Sequence, residues 1–369
     1  MNGFRFLQTS DLHLDWLFEK FPPEKRKKRR EELLDTYDQI IELAIKEKVE
    51  AVLIAGDLFH SPTPNYTTLA HVEKGFIQLK NAGIKVLIIP GNHDLYKEGS
   101  CYRYYTFPDN VYIFGSEEFT AYQVKEDVTV YGLPYHEKWA GERALLTLKL
   151  AEHSGVHVGM IHGTYKGVPV GEEEYSPVVP GDINRSGLNH LAMGHYHNYR
   201  DCSQRRTTAC YAGSPARLSF NNLEDRIVLI VETAPDKKTV WEQKVLPSRP
   251  YRMEEYNLSE KSFGQILAEL SNRVNAEECL KLVFKGIIEE DQLCEMEAME
   301  ANLQKKCFYV EVDDQLMIMP AESEPDTVKG LFVKKMKALM QKKDITPEEM
   351  RLYQEALRVG LTVLKGGHL

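Results

Sequence analysis

Five aliphatic runs, each stopped by polar residues of the same few types, constrain this chain more than any other feature of its sequence. Phe4-Arg5-Phe6-Leu7-Gln8-Thr9 runs into Ser10-Asp11-Leu12-His13, and Ala51-Val52-Leu53-Ile54-Ala55 into Gly56-Asp57-Leu58-Phe59-His60. Lys85-Val86-Leu87-Ile88-Ile89 is stopped by Pro90-Gly91 and followed at once by Asn92-His93-Asp94. Further on, Val156-His157-Val158-Gly159-Met160-Ile161 ends in His162-Gly163, and Leu191-Ala192-Met193-Gly194 in His195-Tyr196-His197. Short aliphatic runs bounded by turn residues read as strands buried on both faces. Amides, imidazoles and carboxylates in the turns just beyond them read as site chemistry, because burial selects against those groups.

The spacing of the runs sets the fold class. A helix with apolar positions Leu33, Leu34, Tyr37, Ile40, Ile41, Ala44 and Ile45 reaches about Lys48, and a second spans about 65–81. Strands and helices thus alternate, the order of a layered α/β domain. Extended runs near 111–114, 119–124 and 128–133, a helix around 140–152, and strands near 226–232 and 239–246 complete it. The Gly/Pro/Glu-rich stretch 163–187 is long for a connector, and such loops are functional or disordered. Pro247-Ser248-Arg249-Pro250 reads as a linker that closes a first domain, 1–250.

Beyond it, strands at 252–257, 279–286 and 307–312 alternate with helices at 262–273 and 291–302, a small α/β module over 251–322. Residues 323–369 read as a helical tail. There Thr346-Pro347-Glu348-Glu349 has the pattern of a capped helix start, with Ile345 and Met350 placed as a staple. The stripe that follows, Met350, Tyr353, Leu357, Leu361 and Leu364, alternates threes and fours. Such a helix either folds back on its own domain or docks on another protein.

Charge and composition remove several classes of function. A net charge of −9 argues against coating nucleic acid through global charge, though not against a local basic groove. The six cysteines form no C-x-x-C pair, so neither a zinc knuckle nor a disulfide framework is expected. No apolar run approaches the roughly 18 residues of a membrane span, and the N-terminus enters a strand rather than a signal peptide. A soluble cytoplasmic protein without a membrane partner is the expectation.

Any one of the five strand-end motifs is weak, since a lone histidine is more often structural. Five at the same end of buried strands can converge in space. Oxygen and imidazole donors without thiolate suit Mn²⁺, Fe²⁺ or Zn²⁺ in an open site. Asp11, His13, Asp57, Asn92, His162, His195 and His197 would serve two four-coordinate cations if one carboxylate is shared. A pair of cations roughly 3.5–4 Å apart could clamp a phosphate for in-line displacement.

In this order, D-x-H, G-D, G-N-H-D, H-G and G-H-x-H resemble the calcineurin-like metallophosphoesterase superfamily over roughly residues 4–232. Within it, Gly56-Asp57-Leu58-Phe59-His60 and Tyr211-Ala212-Gly213-Ser214-Pro215-Ala216-Arg217 resemble the SbcD-type DNA-repair nucleases, YhaO-like bacterial exonucleases among them. The resemblance implies a four-layered α/β-β/α core with a small α/β capping domain and a helical tail. It implies a DNA exonuclease/endonuclease with two divalent cations, Mn²⁺ ahead of Fe²⁺ or Zn²⁺. Asp11, His13 and His197 would hold one metal, Asn92, His162 and His195 the other, with Asp57 bridging.

His93 is implied to steady the scissile phosphate or protonate the leaving oxygen, and His60 to help position the DNA phosphate. Asp94 would orient His93 or cap the turn. The nucleases of this branch work with a coiled-coil ATPase, which the C-terminal helices would capture, since the chain has no P-loop of its own; a homodimer is the other assembly considered. The alternative readings are a phosphodiesterase or phosphatase for small or nucleotide substrates, and a non-catalytic scaffold of an ATPase complex.

Lys25-Arg26-Lys27-Lys28-Arg29-Arg30 is either a solvated helix start or a phosphate contact, because six like charges oppose the helix dipole there. Lys25, Arg26, Arg29 and Arg30, with Arg103 and Tyr104, are the candidate DNA contacts. The tyrosines at 102, 104 and 105 would either stack on bases in a groove or pack in a surface flap.

Overall fold

The aliphatic runs form the central strands of two facing sheets. The computed structural model describes residues 3–152, 155–166, 175–235, 237–320, 326–342 and 344–364. The chain divides into two units, Met1–Ser248 and Arg249–Leu369.

In chain order the first half of the first unit holds β1 (Phe4–Thr9), α1 (Pro23–Lys46), β2 (Ala51–Ala55), α2 (Tyr66–Asn81), β3 (Lys85–Ile89), α3 (Cys101–Tyr104), β4 (Val111–Ile113), β5 (Thr120–Lys125) and β6 (Val128–Leu133). The second half holds β7 (Val156–His162), α4 (Pro180–Arg185), β8 (His190–Gly194), β9 (Arg200–Asp201), β10 (Thr208–Tyr211), β11 (Ile227–Ala234) and β12 (Lys237–Val245). The strands make two six-stranded sheets, ordered β12-β11-β1-β2-β3-β4 and β5-β6-β7-β8-β10-β9. Pairing is parallel at the centre of each sheet, from β1 to β4 and from β6 through β8 to β10. Antiparallel strands flank both centres.

Alternation along each strand explains the layering. Phe4, Phe6, Leu53 and Leu87 from the first sheet meet Val130, Val158, Met160 and Ala192 from the second in one apolar core. The intervening residues Val52, Ile54, Val86 and Ile88 are buried on the opposite face, the side covered by α1 and α2. Those helices are tied by the Tyr37 hydroxyl, which donates to the Val72 carbonyl at 2.7 Å. On the far face of the second sheet, Tyr131, Ile161, Leu191 and Met193 pack with Ala144, Leu145 and Ile183. The architecture is the four-layered one the sequence implies.

One expected element is absent. In place of a helix over 140–152 there are two short 3-10 turns, Glu137–Trp139 and Ala144–Thr147. Gly141 sits at φ +74°, outside helical space. Leu148 and Leu150, two residues apart, both pack on the outer core of the second sheet. That spacing belongs to extended chain rather than helix. In the connector 163–187, Pro180–Arg185 is helical and residues 167–174 lie outside the described residues.

The second unit contains β13 (Tyr251–Asn257), α5 (Phe263–Ser271), β14 (Cys279–Glu289), α6 (Gln292–Leu303), β15 (Tyr309–Met319), α7 (Val328–Met340) and α8 (Pro347–Leu364). Its three strands form an all-parallel sheet in the order β13-β14-β15. Val333 and Met336 of α7 and Leu357 and Leu361 of α8 share one core with Leu282, Phe284 and Val310 of the sheet. The tail and the α/β module are therefore one packed body, and the inner stripe of α8 is committed to it. Its start is a reciprocal cap: Glu349 N donates to Thr346 Oγ1 at 3.2 Å and Thr346 N to Glu349 Oε2 at 2.9 Å. Among the described residues, no helix is long and apolar enough to cross a membrane.

Candidate metal centre

Parallel strands place their C-terminal loops along one edge, so the turns after β1, β2 and β3 meet those after β7 and β8. The loop after β1 is strapped to the loop after β2 by continued ladder bonds: Asp11 N to Gly56 O, His13 N to Asp57 O and Leu14 N to Leu58 O, each 3.0 Å. Tight turning puts Asp11, His13, Asp57 and His195 at φ of 54, 47, 52 and 108°. A side chain in the left-handed region costs about 1–2 kcal/mol, a strain that clusters at functional sites.

The glycines between strands and site residues have a steric reason. A Cβ on Gly56 would lie 2.1 Å from His162 Nδ1, one on Gly91 2.2 Å from Asp57 Oδ1, and one on Gly194 1.8 Å from the Ala55 carbonyl. Backbone and site side chains interlock with no room for a methyl group.

The seven expected ligands come together. Asp57 Oδ2 lies 3.6 Å from His13 Nε2 and 3.5 Å from His162 Nε2, between two imidazoles on different sheets. His13 Nε2 and His197 Nε2 approach to 3.0 Å, and Asn92 Oδ1 and His162 Nε2 to 2.9 Å. Three sets bring one ligand atom from each member within 4.8 Å of one another: Asp11, His13 and His197; Asp11, Asp57 and His162; His13, His60 and His93. His195 joins through its ring, 5.4 Å from that of His162, and its backbone N–H donates to both Asp11 oxygens at 3.1 and 3.2 Å. His162 Nδ1 donates to the Ala55 carbonyl at 3.0 Å, which fixes the tautomer that leaves Nε2 free as a ligand. The other Asp57 oxygen, Oδ1, accepts from His93 N at 2.9 Å.

Electrostatically the cluster is frustrated on its own. Burial pushes the Asp11 carboxyl up to about 7, and burial followed by the charges of Asp94 and Asp11 holds Asp57 well above the usual carboxylate range. Burial likewise drives His13 and His162 well below the ordinary imidazole value, and His195 and His197 down to about 4. Burial thus disfavours charge on the acids and the imidazoles alike. Neutral imidazoles are the ligand form, and bound cations turn buried carboxyls into carboxylates. With only Asp11 and Asp57 as anions among the seven, two divalent ions would leave the site positive, as a phosphate-binding site needs. The residues present fit a pair of divalent cations.

Around this set, His60 and His93 stack with centroids 4.9 Å apart and planes at 26°. Both are half-buried, and burial lowers both imidazoles, His60 to about 4. Asp94 takes the turn-capping alternative: its oxygens accept from Gly91 N at 2.7 Å, Phe59 N at 3.1 Å and the Tyr102 hydroxyl at 2.7 Å. Sequence reasoning missed Trp16, whose ring lies 4.3 Å from that of His60. Its only signal was its position three residues after His13.

Among the peripheral candidates, Arg29 needs correcting. Arg29 is 1% exposed, bonded to Glu32 and to the Arg217 carbonyl, with its guanidinium 4.8 Å from the Phe18 ring. It is a core cation, not a DNA contact. Arg26 is half-buried and donates to the carbonyls of Phe21 and Glu19, closing the preceding loop. Lys25 is half-buried, while Arg30, Arg103 and Tyr104 are exposed. Tyr102 is buried and so lines no open groove, while Tyr105 is half-buried and donates to Glu73 at 2.7 Å.

Residues 4–230 match the family model for calcineurin-like phosphoesterases. The chain is similar to the uncharacterized metallophosphoesterase YhaO of Bacillus subtilis, 29% identical over 221 residues that cover 58% of this chain and 53% of that protein. It is also similar to proteins named DNA double-strand break repair protein Mre11. That of Sulfurisphaera tokodaii is 28% identical over 180 residues, 47% of this chain and 44% of that protein. That of Aeropyrum pernix is 26% identical over 318 residues, 78% of this chain and 74% of that protein. The chain spans about half the length of the first two of these relatives.

Proposed function

The chain belongs to the calcineurin-like phosphoesterase family, and from that premise we propose that it is a two-cation DNA nuclease, hydrolysing phosphodiester bonds at DNA ends or breaks. The observation that carries the phosphoester chemistry is Asp57, with one oxygen 3.6 Å from His13 Nε2 and 3.5 Å from His162 Nε2. A carboxylate so placed suits a bridge between two cation sites. Support for DNA as substrate comes from the similarity to the relatives named for double-strand break repair.

In this reading Asp11, His13 and His197 hold one cation and Asn92, His162 and His195 the other, with Mn²⁺ ahead of Fe²⁺ or Zn²⁺. Divalent cations bound there supply Lewis-acid charge against a phosphoryl group and a source of nucleophile at neutral pH. His93, half-buried and with its backbone N–H on Asp57, steadies the scissile phosphate or hands a proton to the leaving oxygen. His60, stacked on His93, steadies the phosphate. The positive φ at Asp11, His13 and Asp57 aims these donors before substrate arrives, so little reorganisation is left for the reaction. A coiled-coil ATPase and a homodimer belong to the same proposal. With Leu357 and Leu361 buried, the ATPase would engage the outer residues of α8, Leu352, Val359 and Val363.

The test is hydrolysis of labelled single- and double-stranded DNA and of bis-p-nitrophenyl phosphate, with Mn²⁺ and with chelator. Mn²⁺-dependent cleavage of DNA, lost in His93→Ala, is expected. Cleavage of the small ester alone overturns the nuclease reading and leaves the small-substrate alternative.

A further inference from the structure

We infer that Trp16 is a base-stacking platform at the mouth of the metal centre, receiving the nucleobase beside the scissile phosphodiester. The inference rests on the nuclease reading above.

Three tryptophans occur in the chain. The indole N–H of Trp139 donates to the Glu117 carbonyl at 2.7 Å, and that of Trp241 to the Tyr199 hydroxyl at 3.1 Å. This is the usual fate of an indole that serves packing. The Trp16 indole N–H has no hydrogen-bond partner among the described residues, and the side chain is only half-buried. Its ring lies 4.3 Å from His60 at 39° and 5.3 Å from His13 at 84°. His60 in turn stacks on His93. The three rings form a continuous series, from His93 through His60 to an indole with a free donor edge.

The loop is built to hold that indole still. Trp16 N donates to the His13 carbonyl at 3.0 Å, and His60 N to the Leu14 carbonyl at 2.8 Å. Asp15, at φ 72°, accepts from Asn65 N at 2.8 Å, Asn65 Nδ2 at 2.6 Å and Thr68 Oγ1 at 2.7 Å, anchoring the loop to the start of α2. Next to the indole, Leu17 is 51% exposed. A fixed, half-open aromatic surface beside a phosphodiester site has the chemistry for one ligand component, a flat heteroaromatic ring. Every nucleobase offers such a face, so the contact favours DNA over non-aromatic phosphoesters without reading sequence.

The experiment uses the full chain and an oligodeoxynucleotide. In chelator, where nothing is cut, oligonucleotide should quench the tryptophan fluorescence of the wild type. The quench should vanish in Trp16→Phe, while fluorescence anisotropy shows that binding persists. With Mn²⁺, walking one abasic position along the substrate should find a site where KM rises about tenfold for the wild type. Trp16→Ala should raise KM by a similar factor on intact DNA and add nothing at that abasic site. A quench that survives Trp16→Phe, or losses that multiply, overturns the inference while DNA cleavage by the wild type keeps the nuclease reading. Wild-type protein that hydrolyses only bis-p-nitrophenyl phosphate sinks the nuclease reading and this inference with it.

Discussion

Replacing Gly56 with alanine tests whether the site is set by interlocked backbone and side chains. Gly56 sits at φ +93°, and an added Cβ would lie 2.1 Å from Nδ1, 2.7 Å from Cγ and 2.9 Å from Cε1 of His162. Ordinary contact begins at 3.4 Å, so the ring must retreat by more than an ångström. The ring is fully buried, with Nδ1 on the Ala55 carbonyl and Nε2 facing Asn92 and Asp57. Backbone strain costs about 1–2 kcal/mol and the broken buried hydrogen bond about 1–3, so Gly56→Ala should lose about 2–5 kcal/mol of stability. Displacing a ligand ring should also weaken cation binding about 10–100-fold, by analogy with losing a group that orients a ligand. Gly83→Ala is the control: φ is +75° with nothing within 4 Å of the new Cβ, so only the strain term applies. Urea unfolding in chelator and titration calorimetry with Mn²⁺ separate the two terms. Equal stability losses in both variants, or unchanged Mn²⁺ affinity in Gly56→Ala, would refute the steric argument.

Other consequences can be checked on stability and binding alone. His190 is fully buried, its nitrogens 2.7 Å from Thr208 Oγ1 and from Gln8 Oε1, and burial lowers it to about 3 despite the opposing charge of Asp201. A depressed folded value means its stabilisation is present above the unfolded value of about 6.5 and is lost as pH falls toward 3. The stability gap between wild type and His190→Gln should therefore shrink by about 2 kcal/mol from pH 7.5 to pH 5; a constant gap rejects the assignment. Tyr102→Phe removes a buried donor from Asp94 and should cost about 1.5–3 kcal/mol in urea unfolding, whereas a change under about 0.5 would mean the bond contributes nothing. Arg29→Ala should destabilise by more than about 2 kcal/mol, while Arg30→Ala should leave stability within about 0.5. If exposed Arg30 touches phosphate, its loss weakens oligonucleotide binding and flattens the salt dependence; an unchanged salt slope removes it from the interface.

The parts of this molecule that could be read from sequence are those governed by local period and local chemistry. Each strand end announced itself because Asp11, Asp57, Asn92, His162 and His195 follow aliphatic runs directly. The helix α1 showed in the threes and fours of its apolar residues, and the cap at Thr346 in four consecutive letters. What stayed hidden depends on partners far along the chain. Arg29 looks like one of six exposed cations until the Arg217 carbonyl, 188 residues away, takes its guanidinium. The segment 140–152 carries helix-forming residues, but the outer face of the second sheet draws Leu148 and Leu150 into extended chain, an example of tertiary context overriding propensity. Trp16 had only its position three residues after His13 to mark it, because its meaning comes from His60, on a different strand end.

The same contrast explains why the site can exist. Left-handed backbone at Asp11, His13, Asp57 and His195, glycines that tolerate no methyl, and buried carboxyls driven above their ordinary range all oppose folding. None of these features improves packing, and a sequence selected for stability alone would remove them. They persist because the two facing sheets over-determine the loops: parallel ladders on both sides fix where each turn begins, and the apolar core between the sheets is fully buried through Phe6, Leu53, Leu87, Val158 and Met160. Stability generated in that core is spent at the edge, where divalent cations relieve the electrostatic part by turning raised carboxyls into ligands. Strain at a rigid edge thus indicates function more directly than any single residue there, since without the cations the arrangement has only costs.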